Sequence, residues 1–284
     1  MAGLRREPTA RQMRLGIEVR RLRDAAGFTG REAAALLGVS SAQITQIESA
    51  LTGVSEKRLR RLASNYACAE AELIDALVTM ATDRTRGWWE EYRGLLPSPF
   101  LDIAELEHHA TYRYDVEFLF IPGLLQTEDY AHAAFSSRVP ELSREDLELR
   151  VQHRMQRRTV IEGPSPIPYK ALIHEAALRI RVGDRATSRA QLGRVLELSE
   201  AEHVTVHVIP FDLDGFGGTW STMMLAGGTV PKLDTAVRDA PHGTVFIDSE
   251  AQLSVFRTVF RRVEAVALDP VRSRDFIHNL AKEM

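Results

Sequence analysis

The chain is short of the residues that carry redox and metal chemistry: one cysteine, Cys68, stands in 284 residues. A single thiol closes no internal disulfide and supplies no metal-ligand spacing, so burial as a small apolar side chain is its expected role. Long apolar runs are missing too. No stretch approaches the roughly 18 consecutive apolar residues of a membrane helix, and residues 1–14 are basic and polar, without the apolar core of a signal peptide. These absences predict a cytoplasmic protein with no membrane partner. Neither a Gly-x-x-x-x-Gly-Lys phosphate loop nor a His-Glu-x-x-His zinc motif occurs.

Weaker chemical signals have simpler readings. Glu105-Leu106-Glu107-His108-His109 holds one Glu-x-x-His spacing, whereas a di-metal bundle needs that motif twice with two further carboxylates, so the segment reads as a solvated helix face. Gly215-Phe216-Gly217-Gly218 has no cation after it and reads as a flexible loop. His174-Glu175 falls at an expected strand end, where functional side chains gather in α/β sheets, although capping of the next helix by Glu175 is the simpler role. Trp88-Trp89 reads as a docking anchor. No catalytic residue, metal or cofactor is assigned, and a non-enzyme is expected.

What is present begins with a 44% hydrophobic content, ample for a core, and a length suited to one large or two ordinary domains. Charge is distributed unevenly. Residues 1–64 carry 12 Lys and Arg against 6 Asp and Glu, while the remainder carries 24 against 33. A basic module ahead of an acidic body suits a protein of which one part meets phosphate, though a solvated basic face gives the same count.

Within that module, Leu15, Val19, Leu22 and Ala26 recur at helical spacing and Gly27 stops the helix. Thr29-Gly30-Arg31-Glu32 reads as a capping box, followed by a short helix through Ala33, Ala34, Leu36 and Leu37 that ends at Gly38. Ser40-Ser41-Ala42-Gln43 is a second box, with Ile44 and Ile47 as inward anchors. Two capped helices joined by a glycine turn are a helix-turn-helix signature, and Ala33 and Ala34 permit a close crossing. A helix from Ser55, with Leu59, Leu62 and Ala63 inward, and a fifth from Ala69 to about Met80 complete the module.

These residues resemble the XRE family, the helix-turn-helix class of the phage lambda and 434 repressors. The matching pieces are Leu15-Gly16, Leu22-Arg23, Gly27-Phe28-Thr29, Leu36-Leu37-Gly38-Val39-Ser40, Ile47-Glu48 and Leu59-Arg60-Arg61-Leu62-Ala63. The resemblance implies that the helix after Val39 enters the major groove, with Ser41, Ala42, Thr45 and Gln46 toward base edges and Ser40 and Gln43 at the phosphates. Gln46 has the donor and acceptor to pair with adenine, and Ala42 suits a thymine methyl. Arg31, Lys57 and Arg58 are expected at backbone phosphates. The family usually has glutamine where this chain has Gly30; the bare amides at Thr29 and Gly30 remain as the helix-terminal phosphate contact. An internal ion pair between Arg23 and Glu48 is also implied.

After a hinge-like stretch, Thr82–Pro99, rich in aromatics, glycine and proline, elements alternate. Helices are expected at about Asp102–Thr111, from Thr127, at Ser143–Val160, Ala190–Ser199, Ala251–Val266 and Pro270–Lys282; strands at Val116–Ile121, Tyr169–Ile173, Val204–Ile209, Ser221–Leu225 and Thr244–Ile247. The fold class expected is therefore a mainly α, five-helix lambda-repressor-like domain plus a mixed α+β domain, divided as 1–81, a linker 82–100, and 101–284.

The second domain resembles that of actinobacterial XRE regulators of the WhiJ kind, most specifically through Ile121-Pro122-Gly123-Leu124-Leu125-Gln126-Thr127-Glu128-Asp129-Tyr130-Ala131. An aromatic-valine-glutamate strand typical of that group is represented here by Val245-Phe246-Ile247-Asp248, with aspartate in place of glutamate. The resemblance implies a regulator of development or specialised metabolism, and the partners expected are double-stranded DNA and a second copy of the chain. A small partner protein or a small-molecule effector is open as a further partner, and an antitoxin-like protein whose second domain binds a small protein is the alternative.

Overall fold

The computed structural model describes residues 7–213, 222–240 and 243–284, so the expected glycine loop at 215–218 and the first residue of the expected strand at Ser221 lie outside the described residues. The chain divides into two compact units between Trp88 and Trp89. The first is all helical and the second is α+β.

In the first unit, α1 (Ala10–Ala25), α2 (Gly30–Leu37), α3 (Ser41–Glu48), α4 (Glu56–Asn65) and α5 (Ala71–Thr82) follow one another through short turns. Three starts are closed by reciprocal capping boxes, Thr9 with Gln12, Thr29 with Glu32 and Ser40 with Gln43, which pair amides that a helix start otherwise leaves unbonded. The Thr9 box begins α1 one turn and more ahead of Leu15, the first apolar position of the periodic pattern. Gly38 closes α2 at φ +70°, and Val39 N–H returns to the Ala34 carbonyl at 3.0 Å. Ala33, Ala34, Ile44, Ile47, Leu59 and Leu62 are buried. Cys68 is half-buried rather than enclosed, because it follows the turn at Ala67, past the last helical residue of α4.

The second unit opens with α6 (Ser98–His109) and then alternates: β1 (Tyr112–Glu117), α7 (Glu128–Ser136), α8 (Arg144–Arg157), α9 (Thr159–Glu162), β2 (Tyr169–His174), α10 (Glu175–Arg179), α11 (Arg185–Leu198), β3 (Val204–Ile209), β4 (Met223–Gly227), β5 (Thr235–Ala240), β6 (Gly243–Ile247), α12 (Glu250–Val266) and α13 (Pro270–Glu283). The six strands form one sheet in the order β3-β2-β1-β4-β5-β6, parallel across β1, β2 and β3 and antiparallel from β1 through β4 and β5 to β6.

Strand alternation gives the sheet two different faces. On one face, Tyr114, Val116, Leu172, Ile209 and Met223 pack with Phe260 and Val263 of α12. On the other, Ala171, Ile173, Val204, Val206 and Val208 pack with Leu192 and Val195 of α11 and Ile277 of α13. The second face also receives Arg113, Asp115 and Glu117 from the centre of the sheet. Arg113 donates to both carboxylate oxygens of Asp115 at 3.0 and 2.8 Å, and Tyr169 donates to Asp115 at 2.7 Å. Glu107, fully enclosed, accepts from Arg157 at 2.8 and 2.6 Å and also pairs with Arg113. Buried charges persist where each has a hydrogen-bonded partner, and this one spans α6, β1 and α8.

Two strand expectations are corrected. The strand expected at Val116–Ile121 is displaced toward the N-terminus: β1 shares only Val116 and Glu117 with it, and Leu119 and Phe120 are 56% and 43% exposed. The strand bears charges on one face because the charged residues of α6 and α8 wait there to pair with them. β5 was not foreseen; Thr235-Ala236-Val237-Arg238-Asp239-Ala240 holds its form by pairing on both sides. Glu107, expected on a solvated helix face, is instead the buried carboxylate of this network.

Candidate nucleic-acid interface

The geometry of the first unit rests on the close approach of α1 to α3. A Cβ on Gly16 would fall 2.4 Å from the Glu48 carbonyl oxygen, so the two backbones meet where a side chain has no room. Arg23 of α1 donates from Nε and Nη2 to the two Glu48 carboxylate oxygens at 2.6 and 3.0 Å, and from Nη1 to the Phe28 carbonyl at 2.7 Å. The Glu48 carboxylate holds the Arg23 guanidinium above its ordinary pKa, against the opposing effect of burial. This pair fixes the roll of α3, whose buried side carries Ile44 and Ile47.

The opposite side of α3 faces solvent. Ser41, Ala42, Gln43 and Thr45 are exposed, and Gln46 is half-exposed. Gln46 Oε1 accepts a long hydrogen bond, 3.4 Å, from the Thr52 hydroxyl, and its amide N–H groups have no partner among the described residues. The Thr45 hydroxyl donates to the Ser41 carbonyl within its own helix at 3.2 Å. Ser40 and Gln43 are occupied with each other: Ser40 N–H donates to Gln43 Oε1 at 3.2 Å and Gln43 N–H to Ser40 Oγ at 3.3 Å. Thr29 is similarly engaged with Glu32, whose carboxyl is held low by the Thr29 amide and hydroxyl. Gly30 is open, with nothing within 4 Å of a notional Cβ.

The cations sort into two groups. Arg20, Arg21, Arg23 and Arg60 are paired to carboxylates, and Arg61 donates to the Leu36 carbonyl at 2.6 Å. Arg31, Lys57 and Arg58 make no side-chain hydrogen bond or ion pair among the described residues, so their charge is available to a polyanion. The sequence had no means of separating these groups, because pairing depends on the neighbouring helix: Arg60 reaches Asp75 of α5.

Two family comparisons bear on the chain. Residues 14–77 match a helix-turn-helix domain family, and residues 100–279 match a domain of unknown function, DUF5753. The second covers well over half of the sequence. The chain belongs to the DUF5753 family. No curated protein and no solved structure matches it. The helix-turn-helix match supports a DNA-binding regulator, with the DUF5753 domain as a second unit whose role the family description does not supply. Among the described residues, no helix is long and apolar enough to cross a membrane.

The structure also shows how the Ile121–Tyr130 segment singled out in the sequence is held within the DUF5753 domain. In Ile121–Tyr130, Gln126 Nε2 donates to the Ile121 carbonyl at 2.7 Å while its Oε1 accepts from Arg154 at 2.8 Å. Ile121 N–H donates to the Tyr130 hydroxyl at 3.1 Å, and a Cβ at Gly123 would lie 3.0 Å from the Arg154 guanidinium. Leu124 and Leu125 are fully enclosed. The motif is thus a packed clasp around Arg154.

Proposed function

We propose that this member of the DUF5753 family is a sequence-specific transcription regulator that inserts α3 into the major groove of double-stranded DNA. The observation that carries the reading is that one small helical unit holds both a solvent-facing α3 surface bearing Ser41, Ala42, Thr45 and Gln46 and the cations Arg31, Lys57 and Arg58, which have no side-chain partner among the described residues. Amides at the start of α2, near Thr29 and Gly30, and the capping residues Ser40 and Gln43 supply phosphate contacts that set register. Gln46 reads adenine through its amide, and Ala42 meets a thymine methyl.

A single module with so few base contacts binds weakly, so two copies act together on half-sites about one helical turn apart. The protein works in the cytoplasm, at the nucleoid when bound, as an XRE-type regulator of development or specialised metabolism of the WhiJ kind. Genome-wide mapping of bound sites, followed by titration of the recovered duplex at several salt concentrations, tests this. Enrichment of a two-fold symmetric sequence with a steep salt dependence is expected; no duplex affinity that responds to salt would overturn it.

A further inference from the structure

At one end of the DUF5753 sheet the parallel strands β1, β2 and β3 all finish, and each leaves an aromatic ring there. Phe118 follows β1, His174 ends β2 and Phe211 follows β3. The His174 ring lies 5.5 Å from that of Phe118 and 5.2 Å from that of Phe211, tilted to the first and edge-on to the second. Phe118 is anchored by packing against the Val116, Leu172 and Phe260 cluster. Phe211 is held at its backbone, where its N–H donates to Glu175 at 2.9 Å, yet its side chain is 60% exposed. Leu119 and Phe120, just beyond Phe118, are exposed as well.

Among the described residues, the His174 ring is the polar member of this aromatic cluster, and a hydrogen bond sets its tautomer. His174 Nδ1 accepts from the Ala176 amide at 3.1 Å at the start of α10, so the neutral ring carries its proton on Nε2. Nε2 has no hydrogen-bond partner among the described residues and is not sealed from solvent. Partial burial lowers the His174 pKa, against a weaker opposing effect of Glu175, which keeps the ring in its neutral, donating form near pH 7. A mostly apolar surface with, among the described residues, a single oriented donor, at the carboxyl ends of parallel strands, has the composition of a small-molecule site.

We infer that this end of the sheet binds a planar aromatic small molecule bearing a neutral hydrogen-bond acceptor, its ring lying against Phe211 and its acceptor receiving a hydrogen bond from His174 Nε2–H. The neutral donor selects against cations, which it cannot serve, and the exposed ring supplies the area that a flat ligand covers. The inference concerns the second unit and stands apart from DNA binding by the first.

Indole-3-carboxaldehyde, which has both ring and carbonyl, and indole, which lacks the carbonyl, are suitable probes for ligand-observed NMR and calorimetric titration of the full chain. Phe211→Ser removes an exposed ring and His174→Asn keeps a side-chain oxygen to cap α10 while removing the imidazole donor. The aldehyde is expected to saturate one site, weakened about tenfold by either substitution, with indole responding to Phe211→Ser alone. Val139→Ser, at a side chain 94% exposed elsewhere, should leave both unchanged. Absence of saturable binding by either probe, or equal binding by parent and both variants, would overturn the proposal. So would concentration-dependent self-association abolished by Phe211→Ser, which would make this surface a contact between copies.

Discussion

Arg23 and Glu48, 25 positions apart, meet in a two-pronged ion pair that joins α1 to α3. Their side chains are only about a tenth exposed, at 10% and 12%, so removing one partner leaves the other desolvated. Arg23→Met is expected to destabilise the first unit by about 3 kcal/mol, read as faster amide exchange in α3 and a lower denaturation midpoint. A loss below about 0.5 kcal/mol would mean that the pair behaves as a solvated surface contact.

Gly16 and Gly30 predict opposite outcomes for adding a side chain. Gly16→Ala places a methyl against the Glu48 carbonyl and should push α1 from α3, destabilising by about 2 kcal/mol or more with loss of DNA binding. Gly30 stands in open space at the first turn of α2. Gly30→Gln restores an amide donor at the phosphate position and should tighten binding by about 1 kcal/mol, with an unchanged salt slope because no charge is added. Electrophoretic or anisotropy titrations distinguish the two; weaker binding by Gly30→Gln would show that α2 does not begin at a phosphate.

Base readout and phosphate contact separate by salt and sequence. Gln46→Ala should relax discrimination at one base pair by about 1–3 kcal/mol, whereas Lys57→Ala or Arg58→Ala should weaken all sequences alike and lower the salt slope by about one. A Gln46→Ala protein that ranks every operator variant as the parent does would remove Gln46 from the base-reading set.

Two buried groups in the DUF5753 domain set opposed pH dependences. Burial and the Arg157 and Arg154 charges depress His153 from 6.5 to about 3, and burial with Asp115 and Asp239 raises Glu117 from 4.5 to about 8. His153 therefore contributes stability that is present above pH 6.5 and lost as pH falls toward 3; Glu117 contributes stability present below pH 4.5 and lost as pH rises toward 8. Between pH 4.5 and 6.5 the unfolded chain gains one proton at the histidine and loses one at the carboxylate relative to the folded chain, so the two slopes cancel. From 6.5 to 8, Glu117 acts alone and stability falls by up to about 1.4 kcal/mol per pH unit. Glu117→Gln should flatten that window in denaturation midpoints measured across pH; a parent curve already flat there would refute the assignment.

The helices of the first unit were legible because their signals are local: Thr29 to Glu32 and Ser40 to Gln43 span one turn, and Gly38 stands where the backbone turns left-handed. The parallel strands β2 and β3 were equally legible as enclosed apolar runs. β1 was not. Its alternating Arg113, Asp115 and Glu117 look unsuited to a central strand until Glu107, Arg154 and Arg157 arrive from α6 and α8, and the two halves of the Glu107–Arg157 pair lie 50 residues apart in sequence.

By itself, then, the order of residues determined the capped starts of α2 and α3, the stop at Gly38 and that a basic helical module precedes an acidic mixed one, since caps and turns act over a few positions; α10, and the start of α11 at Arg185 rather than the expected Ala190, were not read from it. Which arginines are paired and which are free, where the central strand runs, and that three rings gather at one end of the sheet were decided by tertiary structure alone. Charge pairing and burial depend on distances through space, and sequence separation does not encode them.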